Sequence, residues 1–133
     1  MKAFYTLLAF FIGSIFVQAQ GDLALGQWAE HLPYNTGYTV TQSPTRVYYG
    51  TDYAIISILK EDTSQVTFFS KVDGLSDIAP SWIHFHEPLN MLIIGYRNGN
   101  IDLLDENGIT NINDILRNTN IQGDKSIRHI YVD

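Results

Sequence analysis

The chain contains no cysteine. Disulfides, zinc–thiolate sites and lipidation of an N-terminal Cys are therefore excluded. Basic residues are scarce: 8 Lys and Arg stand against 14 Asp and Glu, a formal charge of −6. A nucleic-acid backbone demands clustered cations, so nucleic acid is not expected as a partner. The sequence has no G-x-S-x-G, no P-loop and no G-x-G-x-x-G. Nucleophile-elbow and nucleotide chemistry thus have no motif to rest on. Nor does any segment beyond residue 19 sustain a 3.6-residue apolar period, which disfavours helical and leucine-rich repeats.

Aromatic residues, by contrast, are plentiful: eight Tyr, seven Phe and two Trp among 133 residues. Such residues suit pleated, half-buried surfaces and lean the reading towards β structure. The N-terminus carries Lys2, then an apolar run from Ala3 to Val17. That run is shorter than the roughly 20 residues of a membrane-spanning helix. It ends in Val17-Gln18-Ala19, with small residues where signal peptidase needs them. Residues 1–19 are expected to be a signal peptide, with Gln20 as the mature N-terminus. The expected location is the periplasm or the outer-membrane cell surface.

The remainder repeats itself at a spacing of about 45 residues. "RVYYGT" (46–51) falls on "MLIIGY" (91–96), with Gly50 on Gly95. "WIHFH" (82–86) falls on "IRHIY" (127–131), with Trp82 on Ile127 and His84 on His129. Each repeat continues with a third run, "YAIISIL" (53–59) or "NIDLLD" (100–105), and a fourth, "QVTFFS" (65–70) or "ITNI" (109–112). Met91 to Ile94 is apolar without alternation, as in a strand covered on both faces. Asn98-Gly99 is expected to form a two-residue type I′ hairpin. "NDILRN" (113–118) reads as one helical turn opened by Asn113 or Asp114.

Four short strands per repeat, with turn chemistry between them, are the pattern of β-propeller blades. The expected fold is all-β: a partial β-propeller of about two four-stranded antiparallel blades plus the start of a third, preceded by a signal peptide. The expected division is 1–19 signal peptide, 20–37 an N-terminal segment acting as a ring-closing strand, and 38–133 an incomplete propeller. Its blades run over about 38–81 and 82–126, and a third starts at 127–133. Closed propellers have typically 4 to 8 blades, so the reading is of an N-terminal fragment whose partners include the remaining blades of a parent protein.

Four segments then carry a family resemblance: "GQWAEHLPYNTGYTV" (26–40), "SKVDGLSDIAPSWIHF" (70–85), "NMLIIGYRNGNIDLL" (90–104) and "NINDILRNTNIQGDKSIRHIY" (111–131). They resemble, in order, the N-terminal propeller of PorZ-type proteins of the type IX secretion system of Bacteroidetes. The opening from Gly26-Gln27-Trp28 to Tyr34 makes the resemblance specific. The resemblance implies a non-enzymatic surface component of the attachment complex, contacting other secretion-system surface proteins and anionic lipopolysaccharide. It brings no binding residue with it. "DGLSD" by itself also resembles the blade connector of hybrid two-component regulators. The alternative function is therefore a periplasmic sensor propeller that binds a small ligand or a glycan.

Three sets of residues are candidates for chemistry. His84 and His86 share one strand face and could begin a metal site, but no third ligand is identifiable. Asp73/Asp77 and Asp102/Asp105 are acid pairs of the kind glycosidases use, but acidic turns serve solubility and turn geometry equally well. The Ser-x-Asp-x-Gly-x-x-Trp boxes of sialidase-like propellers are missing. No catalytic residue, metal site or cofactor is expected. Loops between second and third strands and loops between blades emerge on one rim, which gathers Asp52, Asp73, Asp77, Tyr96, Arg97 and Asn98 beside Thr51. This polar rim is the expected recognition surface.

Overall fold

The computed structural model describes residues 34–132, and everything observed lies within them. The signal peptide, Gln20, Trp28 and Leu32 lie outside the described residues. No helix among the described residues is long and apolar enough to cross a membrane.

Eight strands form two separate antiparallel meanders. The first sheet holds β1 (Gly37–Gln42), β2 (Arg46–Thr51), β3 (Ile55–Leu59) and β4 (Val66–Phe69) in that order. The second holds β5 (Pro80–His86), β6 (Met91–Tyr96), β7 (Ile101–Asp105) and β8 (Gly108–Ile112), also in order. A one-turn helix, α1 (Asp114–Arg117), follows. The two sheets are copies down to their irregularities. Register shifts between Gly37 and Thr39 in one and between Pro80 and Trp82 in the other. Val40 opposes Tyr49 as Ile83 opposes Ile94.

Period-2 alternation gives each sheet two faces, and the core lies between the sheets. On the first sheet Tyr48, Ile55 and Phe69 face across to Ile83, Phe85, Leu92, Ile94 and Leu104 of the second, with Leu75 of the connector added. The Tyr48 and Phe85 rings stack with centroids 5.7 Å apart. The Ile83 and Phe85 amides of β5 donate to the Thr39 and Thr41 hydroxyls of β1, at 3.2 and 3.1 Å. The first strands of the two sheets are thus tied side by side, as inner strands of neighbouring blades.

Among the described residues, the opposite face of the first sheet is left largely open. Val40 is 68% exposed and Phe68 41%, whereas their neighbours' counterparts Ile83, Leu92 and Ile94 are buried. Tyr34 crosses this open face: its ring lies 4.7 Å from Phe68, and its carbonyl accepts the Tyr49 hydroxyl at 2.6 Å.

Residues 126–130 dock on the far face of the second sheet. A methyl at Gly95 would overlap the Ile127 side chain, as one at Gly50 would press on Pro80 at 3.1 Å. Only glycine permits so close an approach. The Ser126 hydroxyl lies 2.8 Å from the Arg97 carbonyl, where the Ala79 amide donates to the Asp52 carbonyl of the preceding blade. By these contacts Ile127 occupies the place of Pro80, and His129 that of Trp82. The expected match of His84 with His129 is therefore two residues out, because the second connector is longer. The Trp82 and His129 rings are neighbours, with centroids 4.8 Å apart.

The hairpin at Asn98-Gly99 also differs from expectation. Of that pair only Gly99 has positive φ, 86°, whereas type I′ needs two such residues. The loop has three residues, closed by the Gly99 amide on the Tyr96 carbonyl and the Tyr96 amide on the Asn100 carbonyl. Asn98 accepts the Asn100 amide through its side chain at 3.0 Å, which favours the three-residue loop.

Beneath this hairpin sits a buried carboxylate. Asp102, fully buried, accepts the Tyr96 hydroxyl at 2.7 Å, the Ser76 amide at 2.8 Å and the Asn111 side-chain amide at 2.8 Å. Burial first, and the bond to Asp102 second, push the Tyr96 phenol well above its ordinary value, so it stays a donor. Tyr96→Phe should cost about 2 kcal/mol, the value of a hydrogen bond to a charged group. Asp102→Ala, which strands the buried Tyr96 hydroxyl and the half-buried Ser76 amide, should cost about 3 kcal/mol or more by denaturant unfolding. Equal, negligible losses from both would remove the network as a stabilising element.

Candidate functional site

The rim built by the β2–β3 and β6–β7 loops and the connectors holds most of the expected residues, with two corrections. Tyr96 is only 1% exposed and points inward to Asp102, so it cannot meet a ligand at the surface. The reason is alternation: Tyr96 ends β6 on the same face as Leu92 and Ile94. Thr51 is likewise fully buried; its Oγ1 accepts the Ala54 amide at 3.1 Å and so shapes its own loop.

The other rim residues divide into turn builders and surface groups. Asp73 is exposed but occupied, accepting the Ser70 amide at 2.9 Å and the Ser70 hydroxyl at 2.8 Å. Asp77 receives the Asn98 side-chain amide, joining the blade connector to the β6–β7 loop. Asp52 accepts the Tyr38 hydroxyl at 2.7 Å, and that bond raises the Tyr38 phenol above its usual value. Arg97 is exposed, with its charge close enough to Tyr38 to act on it in the opposite sense.

Arg97 lines an open pocket of about 360 Å³ together with Tyr38, Trp82, Ser81, Ser126 and Arg128. Two guanidinium groups, two serine hydroxyls and two aromatic side chains thus converge at the start of the inner strands. Arg128 pairs with Asp124 at 2.6 Å, the one ion pair among the described residues. Asp124 is held down to about 2 by the Ser126 hydroxyl, then by the Ser126 amide and Arg128. Because the Ser126 hydroxyl has one proton, it serves Asp124 or the Arg97 carbonyl at any moment, not both. Guanidinium groups supply planar donors for carboxylate or phosphate, and an aromatic face suits the C–H side of a sugar ring.

Sequence reasoning missed Tyr38, Trp82, Ser126 and Arg128, because it counted only loops as rim. First strands begin at that rim, so their leading residues belong to it too. The repeat pattern carried that signal, since Tyr38, Trp82 and Arg128 all sit near the start of a repeat.

The other candidates stand apart from this pocket. His84 and His86 do share a face of β5; His86 is buried, and its Nδ1 has no hydrogen-bond partner. Among the described residues no three His, Asp or Glu side chains are grouped to hold a metal ion. Asp102 belongs to the buried network, whereas Asp105 accepts the Asn107 amide in the β7–β8 turn at 2.7 Å. The two therefore do not face one substrate.

Comparison with known proteins agrees with this architecture. Residues 47–133 match the N-terminal β-propeller domain of PorZ of the type IX secretion system. No curated protein matches the chain. Among solved structures it is similar to PorZ of Porphyromonas gingivalis, an essential bacterial surface component of the type IX secretion system. Identity is 30% and the TM-score 0.70, over 77% of this chain and 14% of that one. The chain thus spans a small part of the length of the protein it matches. By sequence and by fold together, the chain belongs to the PorZ N-terminal β-propeller family.

Proposed function

We propose that this chain works without catalysis, as an exported propeller segment of a type IX secretion-system component at the cell surface. In this reading it contacts other secretion-system surface proteins and binds anionic lipopolysaccharide, or a related anionic glycan, in the rim pocket. The observation that carries the reading is the placement of Arg97 and Arg128 in one pocket with Trp82 and Tyr38. Two cations answer the charge of such a glycan, and the aromatic rings answer its sugar faces. The family match favours this over a two-component sensor propeller.

The open face of the first sheet supports a second element of the proposal. Residues 20–37 serve as the ring-closing segment of the propeller, after a signal peptide at 1–19, and a further blade covers Val40 and Phe68. Tyr34, already on Phe68 and Tyr49, marks the path.

Two outcomes check these statements. The double change Arg97→Ala with Arg128→Ala should weaken binding of purified anionic lipopolysaccharide by about tenfold in a titration, with the melting temperature unmoved, since both side chains are exposed. Unchanged affinity would remove the pocket as the binding site. Deleting residues 20–35 from the full-length parent protein should lower its melting temperature by about 4 °C or more. An unaltered melting temperature would dismiss ring closure.

A further inference from the structure

The sequence contains two Asn-Gly dipeptides, Asn98-Gly99 and Asn107-Gly108, each at a hairpin turn. In this dipeptide no side chain shields the glycine nitrogen, which is free to attack the asparagine side-chain carbonyl. The attack forms a bond from that nitrogen to Cγ and breaks the bond from Cγ to Nδ2. Ammonia leaves with the amide proton, and a five-membered imide remains. Water then opens the imide at either carbonyl. Opening at the side-chain carbonyl gives an aspartyl residue. Opening at the main-chain carbonyl gives an isoaspartyl residue, with one more methylene in the chain. Either product exchanges a neutral amide for a carboxylate.

Identical in sequence, the two sites differ in the folded protein. Both glycines end a tight turn: the Gly99 amide donates to the Tyr96 carbonyl at 3.2 Å, and Gly108 closes the β7–β8 ladder against Asp105. The difference lies in the side chain and in packing. Asn98 is held at both ends of its carboxamide, Nδ2 donating to Asp77 and Oδ1 accepting the Asn100 amide at 3.0 Å. Gly99 is buried, and a methyl there would meet Ile115 at 2.8 Å and the Lys125 carbonyl at 3.0 Å. To reach the Gly99 nitrogen, Asn98 must break two hydrogen bonds, one of them to a carboxylate, and push against α1 and Lys125. Asn107 and Gly108 are both exposed. The Asn107 carboxamide has no hydrogen-bond partner among the described residues, and nothing lies within 4 Å of the methyl position at Gly108. Only the main chain of Asn107 is held, its amide donating to the Asp105 carboxylate at 2.7 Å.

We propose that Asn107 is a site of spontaneous deamidation in this protein, and that the contacts of Asn98 and Gly99 protect the second copy of the same dipeptide. The location gives the modification a consequence. On the rim opposite the pocket the two sheets part to leave a second cleft of about 360 Å³, with Phe69 and Leu104 in its apolar lining. Arg46, which begins β2, and Asp105 and Glu106, at the end of β7, line that end of the cleft. Deamidation sets a third carboxylate next to these two acids, where Arg46 is the one cation of the lining. The isoaspartyl form also lengthens the chain between Asp105 and Gly108, the pair that closes the hairpin. None of this depends on what the rim pocket binds.

The test holds the protein at mildly alkaline pH and body temperature in heavy-oxygen water, so that oxygen taken up during incubation is marked. Digestion and peptide-resolved mass spectrometry then follow, with aspartyl and isoaspartyl peptides separated by chromatography. In the folded protein Asn107 should convert at least about tenfold faster than Asn98. Its product should include the isoaspartyl form, which direct hydrolysis of the side chain does not give. In urea, where the packing and side-chain bonds are gone, the two rates should draw together. Conversion at Asn107 no faster than at Asn98 in the folded protein, or no conversion at either, would overturn the proposal. So would a gap that persists undiminished in urea, or a product at position 107 that is aspartyl alone.

Discussion

A single carboxylate with no route to water organises the second blade. Burying an ionised group is costly unless hydrogen bonds replace its hydration, and Asp102 has three donors to do so. Each comes from a different element: Tyr96 from β6, Asn111 from β8, and the Ser76 amide from the connector. The carboxylate therefore fixes more than its own strand. It holds the connector against the sheet, and that places Leu75 in the core between the blades. The second N–H of Asn111 is shared between the Asn100 side chain and the Ile101 carbonyl, which pins the end of the β6–β7 hairpin. The first blade has Ile56 at the corresponding place, so it lacks the clamp.

With the connector held, the rest follows from strand alternation. One face of each sheet meets the next blade and the other meets the previous one. Glycines at 50 and 95 let the following chain approach the second strand of the blade, and threonines at 39 and 41 tie the inner strands together. Stacking in this manner creates two kinds of recessed surface. Where inner strands start, the rim pocket gathers arginine, tyrosine and tryptophan. Where the sheets splay at the opposite rim, the apolar cleft opens beside β4. Neither recess depends on the other, since they lie at opposite rims and share no lining residue.

The strands were legible because apolar runs lie between turn residues. β2 and β6 were bounded correctly at Arg46–Thr51 and Met91–Tyr96, and α1 falls within the expected turn of helix. Less legible was the fate of polar side chains at strand ends. Tyr96 adjoins a rim loop in sequence, yet the pleat turns it inward; Arg97, one residue on, is outside. Asp102 looked like one of many acidic turn residues, although its place between Ile101 and Leu103 within a strand was the available clue. The third repeat could not be registered from identity alone, since a longer connector moved His129 onto Trp82's position. Hairpin type eluded the dipeptide rule because Asn98 spends its side chain on the Asn100 amide.

The family assignment and the geometry meet in one requirement, that successive stretches of chain stack as equivalent blades. The most direct measurement is a nuclear Overhauser experiment on the labelled protein. It should show cross-peaks from the Ile127 methyls to the Gly95 Hα protons, and from the Ile83 amide to the Thr39 side chain, since the structure places both pairs in contact. Cross-peaks at one junction but not the other, or at neither, would contradict blade stacking and the account built on it.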